Sequence, residues 1–538
     1  MRINKYLAIS ILLNSLVSVQ LFSQADSKAS QIYEANWESL LTHEVPQWAR
    51  DAKFGIYAHW GVYSVSGTWD YSKPNWGNAY ITPYRGVYHH SEKNESRGLF
   101  EKQVGKPEDG YGYKDLAKQF KAEKFDPDYW AGLIEKSGAK YAGIAAMHHD
   151  GYAMWDSDVI DLCAGKLGPE RDLLGEVFTA LNARGLKTFT SFHHARTYKH
   201  YQGIIRKLKE QPIAAKVDLL DMNLDNYYWF AGDREIFEEK RYALTKEVIN
   251  KYKPDAIWFD GGAGKFNTER VLADFFNMAE REGKQVTVHN KGNFPDNFGV
   301  FSYENGHQRP LYVSRTWEDD TPSAQMFFDW PWYKGIQYKK PRDVVVRLVD
   351  LVARNGGLLL SLNPRPDGTF DKGQEDLLIG IGEWLAQNGE AIYAAVPYKI
   401  YAEGHTERLE YHETNSKGKK TRAVQPDTRR LNWEDVRFTR KGNTLYATVL
   451  GVPPSGKVRI KSLSSQTVIS TPDMIDRVEL LGSGPVEWSR TRKALEIQLP
   501  KTLPNQWALV FKISVIGELD KSKPDVKTTR MKLPKKTN

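Results

Sequence analysis

The chain has 538 residues and a single cysteine, Cys163. One thiol excludes an internal disulfide framework, so stability must come from core size, which a chain this long can supply. Glycine-rich phosphate-binding turns are absent, which argues against a nucleotide enzyme. No internal repeat array is present. No segment interleaves basic residues with aromatics in a recognisable nucleic-acid motif, despite a formal net charge of +8, so nucleic acid is not an expected partner. Much of the basic excess sits near the end, at Lys521, Lys523, Lys527, Arg530, Lys532, Lys535 and Lys536. Such a run reads as a solvated, frayed terminus.

The N-terminus carries the one long apolar run. Arg2 and Lys5 precede an apolar stretch from Tyr6 to Phe22, and Ser23, Gln24 and Ala25 follow. A basic start, a short apolar core and a polar end read as a signal peptide over residues 1–24, with export to the periplasm or the medium. Asn14, Ser15 and Gln20 interrupt a run already marginal for spanning, so no transmembrane anchor is expected. No cysteine follows it, which disfavours a lipid anchor.

What is abundant is the aromatic ring: 16 Trp, 28 Tyr and 22 Phe. Rings stack on the apolar faces of sugars, but they also serve a large core and strand formation, and composition leaves both readings open.

Across residues 30–396 short apolar runs alternate with longer amphipathic ones. The expected strands are Phe54–Trp60, Tyr141–Met147, Thr188–His193, Ala256–Asp260, Val286–Asn290, Val300–Glu304 and Gly357–Asn363. Helical stretches such as Tyr129–Ser137, Asp172–Arg184, Ile236–Lys251 and Thr268–Glu282 lie between them. The alternation predicts a parallel sheet, either a (β/α)8-type barrel, irregular or incomplete, or an open doubly wound sheet. Polar groups favour the barrel. His59 and Trp60, His148 to Asp150, His193 and His194, Asp260, His289 and Asn290, Glu304 and Asn363 each follow or close an apolar strand. A barrel gathers such strand ends around one mouth. Beyond Pro397 short alternating runs punctuated by Pro and Gly predict a small antiparallel β-sandwich over residues 397–516, with a flexible basic tail over 517–538.

Two strand-end carboxylates suggest chemistry. Asp260 closes Ala-Ile-Trp-Phe-Asp-Gly-Gly, where glycines let a ligand approach, although a turn or helix-cap aspartate fits the segment equally. Glu304 closes Val-Phe-Ser-Tyr-Glu-Asn-Gly. Glycoside hydrolysis needs such a pair: one carboxylate attacks the anomeric carbon, and the other donates and later removes a proton.

The segment Lys53–Ser64, His148-His149-Asp150-Gly151-Tyr152 with Trp155, Arg171-Asp172-Leu173, Trp258-Phe259-Asp260-Gly261, and Asn355–Leu360 with Asn363 and Asp367-Gly368 resemble, in order, the motifs of the α-L-fucosidase family, glycoside hydrolase family 29. The resemblance covers roughly residues 37–395. It implies an exo-acting, retaining glycosidase that removes terminal α-L-fucose from oligo- or polysaccharides, without cofactor or metal, with Asp260 as nucleophile. The acid/base is less uniform across the family; in one branch it lies on the strand after a segment that Val288-His289-Asn290-Lys291 resembles, which points to Glu304, preferred because it ends a strand. Glu318 in Thr316-Trp317-Glu318 competes, but it is read as a loop residue beside Asp319 and Asp320. The resemblance further implies that His59, His148 and His149 bond sugar hydroxyls, and that Trp60 and Trp258 wall the C6 methyl unless they are simple core. His-His-Asp could also bind metal, but adjacent histidines project oppositely from a strand and converge only at a turn.

This chain departs from the family pattern at specific places. Pro83-Tyr84-Arg85-Gly86-Val87-Tyr88 replaces a segment whose Glu and Trp touch the sugar. The strand ending Phe192-His193-His194 usually ends in Tyr and small residues, and Lys291 replaces an arginine. His193, His89 or His90 could take over lost hydrogen bonds, and Lys291 is expected in the binding shell. Fucose leads. A related L-sugar such as L-galactose, fucose bearing sulfate, or a non-catalytic carbohydrate binder on the same scaffold are the alternatives. The sequence does not fix the oligomeric state.

Overall fold

The computed structural model describes residues 32–67, 95–212, 214–260, 267–292, 294–295, 297–304, 312, 314–325, 329–405, 412–414, 420–422, 428–524 and 530–532. The expected signal segment, and Gly86, Val87, His89 and His90, lie outside them.

Eight parallel strands close into a barrel in chain order: β1 (Phe54–Ala58), β2 (Tyr141–Met147), β3 (Lys187–Phe192), β4 (Ala256–Phe259), β5 (Thr287–Asn290), β6 (Val300–Glu304), β7 (Trp317–Pro322) and β8 (Gly356–Leu362). β8 pairs back to β1, with Phe54 opposite Leu358 and Ala58 opposite Leu362. Strands buried on both faces read as continuous apolar runs, and β1, β2, β4 and β8 are buried throughout. Helices Pro127–Lys136, Leu173–Ala183, Arg234–Tyr252, Thr268–Glu282 and Pro341–Ala353 cover the outside. Their starts carry the expected signals: Asp126 and Asp172 accept from the backbone N–H groups of Tyr129 and Gly175, and Pro127 and Pro341 open their helices. Among the described residues no helix intervenes between β5 and β6 or between β6 and β7, which makes the barrel irregular on that side.

β7 corrects the sequence reading. Trp-Glu-Asp-Asp-Thr-Pro is a fully buried strand and not a loop. Each acid has its own partner: His289 and the Tyr141 hydroxyl meet Glu318, Arg347 meets Asp319, and the Tyr57 hydroxyl donates to Asp320.

Past the barrel, a seven-stranded sheet and a three-stranded sheet form the β-sandwich, around a core that includes Phe438, Leu445, Val478, Leu495 and Phe511. Helix Pro341–Ala353 joins the two parts: Asp350 accepts from Arg437 Nε at 2.6 Å, and both side chains are buried. The tail differs from expectation. One strand runs Leu509–Leu519, and Arg530–Lys532 pairs in parallel with Val396–His405. Backbone pairing at a sheet edge tolerates basic side chains, which sequence charge alone does not reveal. No helix among the described residues is long and apolar enough to cross a membrane.

Candidate active site

The barrel mouth is built by residues that continue the strand ladders one step past the strands. His59 N–H donates to Leu362 O, His193 N–H to Met147 O, and Asp260 N–H to Phe192 O, at 2.8 to 3.0 Å. That backbone pairing fixes where each side chain leaves the barrel. His59 Nδ1 stands 2.7 Å from Ser361 Oγ of β8. His193 Nε2 stands 2.9 Å from Ser191 Oγ of β3, and its Nδ1 faces Asp260 Oδ2 at 3.1 Å.

His148 and His149 lie past the end of β2, in a turn that Gly151 permits with φ +77°. Their rings therefore converge instead of diverging, with centroids 4.4 Å apart. His148 stacks on His193 at 4.3 Å, and His149 Nδ1 stands 2.6 Å from His193 O. Asp150 turns away and braces the turn: it accepts from the Tyr113 hydroxyl at 2.6 Å, and burial pushes its carboxyl up to about 7. His194 also turns away, toward Thr245 Oγ1 at 3.1 Å.

Lys291 follows β5 in a loop shaped by Asn290, whose side chain donates to Pro295 O and Phe298 O and accepts from Gly292 N–H. The Lys291 ammonium bonds Asp260 Oδ1 and also Glu304 Oε2, the latter at 2.7 Å. It stands over the Trp258 ring, 5.2 Å from the centroid.

The electrostatics follow from burial and these neighbours. Burial pushes the Asp260 carboxyl up, but Lys291 and His193 outweigh it and hold it well below the usual carboxylate range. Burial pulls Lys291 down, yet Asp260, Glu304 and Asp320 drive it above its ordinary value. Burial, then His193, holds His59 and His148 well below the usual histidine range and His149 at about 3. These imidazoles are neutral at neutral pH, each able to donate from one nitrogen and accept at the other.

Asp260, Glu304, His59, His148, His149, His193, Trp258 and Lys291 thus share one mouth. Trp60 does not join them. Its ring is fully buried among Phe120, Phe125 and Trp130, and its indole N–H donates to Arg365 O at 2.8 Å. Glu318 is equally remote: it is the second residue of β7 and pairs in register with Ser302, two residues below Glu304. A cleft at that floor, lined by Trp48, Lys53, Tyr141, His289 and Glu318, holds none of the mouth residues.

Two groups went unnoticed in sequence. Asp320 lies opposite Glu304 on β7, and burial drives its carboxyl well above the usual range. Trp330 brings its ring to 5.1 Å from His59, held by Asn363, whose amide donates to Asp329 O and Trp330 O. The strand-end pattern flagged Asn363, whereas nothing local marks Trp330. Metal-type ligand atoms also converge: one from each of His59, His148 and His193 lie within 4.8 Å of one another, as do those of His149, His193 and Asp260.

The α-L-fucosidase family profile matches residues 20–390, and the profile of its C-terminal domain matches residues 425–514. The chain belongs to the α-L-fucosidase family. Its relatives include tissue α-L-fucosidase of Mus musculus, 26% identical over 525 residues that span 92% of this chain and 97% of the relative. The Homo sapiens tissue enzyme is 26% identical, covering 88% of this chain and 89% of the relative. The crystal structure of Thermotoga maritima α-fucosidase in complex with fucose superposes with a TM-score of 0.66 at 25% identity, over 90% of this chain and all of that one. The family assignment thus covers both the barrel and the sandwich.

Proposed function

We propose that this family member is an exported, exo-acting α-L-fucosidase that cleaves with retention, using Asp260 as nucleophile and Glu304 as acid/base. The observation that carries the reading is the shared ammonium. Two carboxylate oxygens bonded to one Lys291 nitrogen stand no more than about 5 Å apart, too close for the roughly 6.5 Å or more by which an inverting pair admits water and in keeping with a retaining pair.

In the first step an Asp260 oxygen bonds to the anomeric carbon while the glycosidic C–O bond breaks, and the Glu304 proton passes to the departing oxygen. Water then attacks the same carbon, Glu304 takes its proton, and the bond to Asp260 breaks. Lys291 suits both halves. Asp260 loses its negative charge on forming the ester just as Glu304 becomes a carboxylate, so the ammonium keeps one anionic partner throughout. The neutral histidines offer donors and acceptors to hydroxyls, and Trp258 an apolar face. Fucosylated glycans are the substrate class, as the names of the relatives suggest.

The test is Asp260→Gly. Turnover of an aryl α-L-fucoside should be lost with the fold intact, and azide should restore product as the β-configured fucosyl azide. An unchanged rate, or an α-configured azide, sinks the assignment.

A further inference from the structure

We propose that the histidines of the mouth form a site for one divalent transition cation of the zinc class, held by His59, His148 and His193 beside Asp260, and that this cation and the sugar exclude each other. The exclusion rests on the sugar-site reading above; the cation site itself does not.

The donor set fits such an ion. Imidazole nitrogens suit zinc, copper, nickel and cobalt, whereas magnesium and calcium want oxygen ligands. Three ring nitrogens already lie within 4.8 Å of one another. On a four-coordinate zinc, nitrogens about 2.0 Å from the metal stand about 3.3 Å apart. The rings must close by about an ångström or more, which the broad terminal torsion of histidine allows.

The orientation of the rings is also that of ligands. A metal-binding histidine presents one nitrogen and anchors the other on a neighbour, which fixes tautomer and direction. His59 Nδ1 stands on Ser361 Oγ and His193 Nε2 on Ser191 Oγ, so each ring is oriented through one nitrogen held by a strand serine. His193 Nδ1 points at Asp260 Oδ2.

Charge is the apparent obstacle, because Lys291 stands at the same aspartate. The ammonium occupies Oδ1, however, and the histidine side of the carboxylate is Oδ2. Two further carboxyls, Glu304 and Asp320, also act on Lys291. A cation on the histidines therefore meets the negative side of Asp260, and through His193 it can reach the second convergent set, which contains Asp260 itself.

Isothermal titration of the EDTA-stripped, dialysed full chain with zinc chloride, and the visible spectrum of the cobalt(II) complex, test the site. One zinc per chain is expected, with a four-coordinate cobalt band and no binding of magnesium at the same concentration. His193→Phe and His148→Ala should each weaken zinc about tenfold or more, and saturating L-fucose should raise the apparent Kd severalfold in the unaltered protein. Zinc binding that is absent from the unaltered protein, or unchanged in the folded variants, overturns the site; if either variant misfolds, the other and the cobalt band decide. Fucose that binds by its own titration yet leaves zinc affinity unchanged overturns the exclusion. Fucose that does not bind at all counts against the proposed function, and the variants still decide the cation site.

Discussion

The two ends of the barrel each set a histidine against a carboxylate and use the pair differently. At the mouth, His193 faces Asp260 at 3.1 Å; at the floor, His289 faces Glu318 at 2.6 Å. Both pairs are buried. The floor pair is closed: Glu318 takes His289 on one oxygen and the Tyr141 hydroxyl on the other. The mouth pair is crowded by charge, with Lys291 on Asp260, and a second, partly exposed carboxylate on the same lysine. A buried carboxylate whose partners match its oxygens is structural. One that shares a single cation with a second carboxylate holds charge that can be redistributed when a bond forms. This is why Glu304, and not Glu318, is the proton carrier proposed above.

The largest effect that could break the comparison is on rate. Glu304→Ala should slow substrates with poor leaving groups by about 10²- to 10⁴-fold and spare activated aryl fucosides in the first step, because only the former need a proton in the transition state. Glu318→Ala should show no such dependence on leaving group. The reverse pattern in a series of aryl fucosides of graded leaving-group pKa would move the acid to the floor.

Stability should respond in the opposite sense. Glu318→Ala leaves a buried imidazole and a buried hydroxyl without their acceptor, and should cost about 3 to 5 kcal/mol in denaturant unfolding. Glu304, a quarter exposed, should cost much less on removal. Equal losses would erase the distinction between the two ends.

Acid sharpens the same contrast. His59, His148, His149 and His194 are buried with folded values below that of an unfolded histidine, His149 at about 3 and His43 at about 4. Below about pH 6.5 the unfolded chain binds those protons and the folded chain does not, so stability falls as pH falls, by about 1.4 kcal/mol per pH unit for each net proton. Asp150 at about 7, with Asp172 and Asp320 also raised, act the other way between about pH 7 and 4, since only the unfolded chain is ionised there. Five histidines outweigh three aspartates, so melting temperature should drop between pH 6.5 and 5. A flat profile would mean that the mouth histidines are not held neutral.

The barrel was legible because most of its strands are apolar runs flanked by helices, and the site because its side chains close those runs. β7 was not legible. Three consecutive acids oppose strand propensity, and only partners from β1, β2, β5 and a helix make their burial tolerable. Asp320 was lost with that strand. Trp60 failed for another reason: adjacent residues at a strand end leave on opposite sides, and sequence does not say which side faces the mouth. His148 and His149 converge through a turn whose geometry no strand pattern encodes.

The smallest predicted effect concerns sugar recognition. His193 is tied to Ser191 and Asp260, so His193→Phe keeps a ring against His148 but loses one charge-assisted contact to the nucleophile. Such a contact is worth about 1.5 kcal/mol, or about tenfold in kcat/KM. The loss should fall on kcat for aryl α-L-fucoside if His193 only orients Asp260. It should fall on KM, and change the ratio between α-L-fucoside and α-L-galactoside, if the imidazole also bonds a sugar hydroxyl, because a site built around one hydroxyl discriminates strongly against sugars that misplace it. The informative panel pairs those two aryl glycosides with fucosylated and sulfated oligosaccharides. A silent His193→Phe on every member would remove His193 from recognition and leave that role, among the described histidines of the mouth, to His59, His148 and His149.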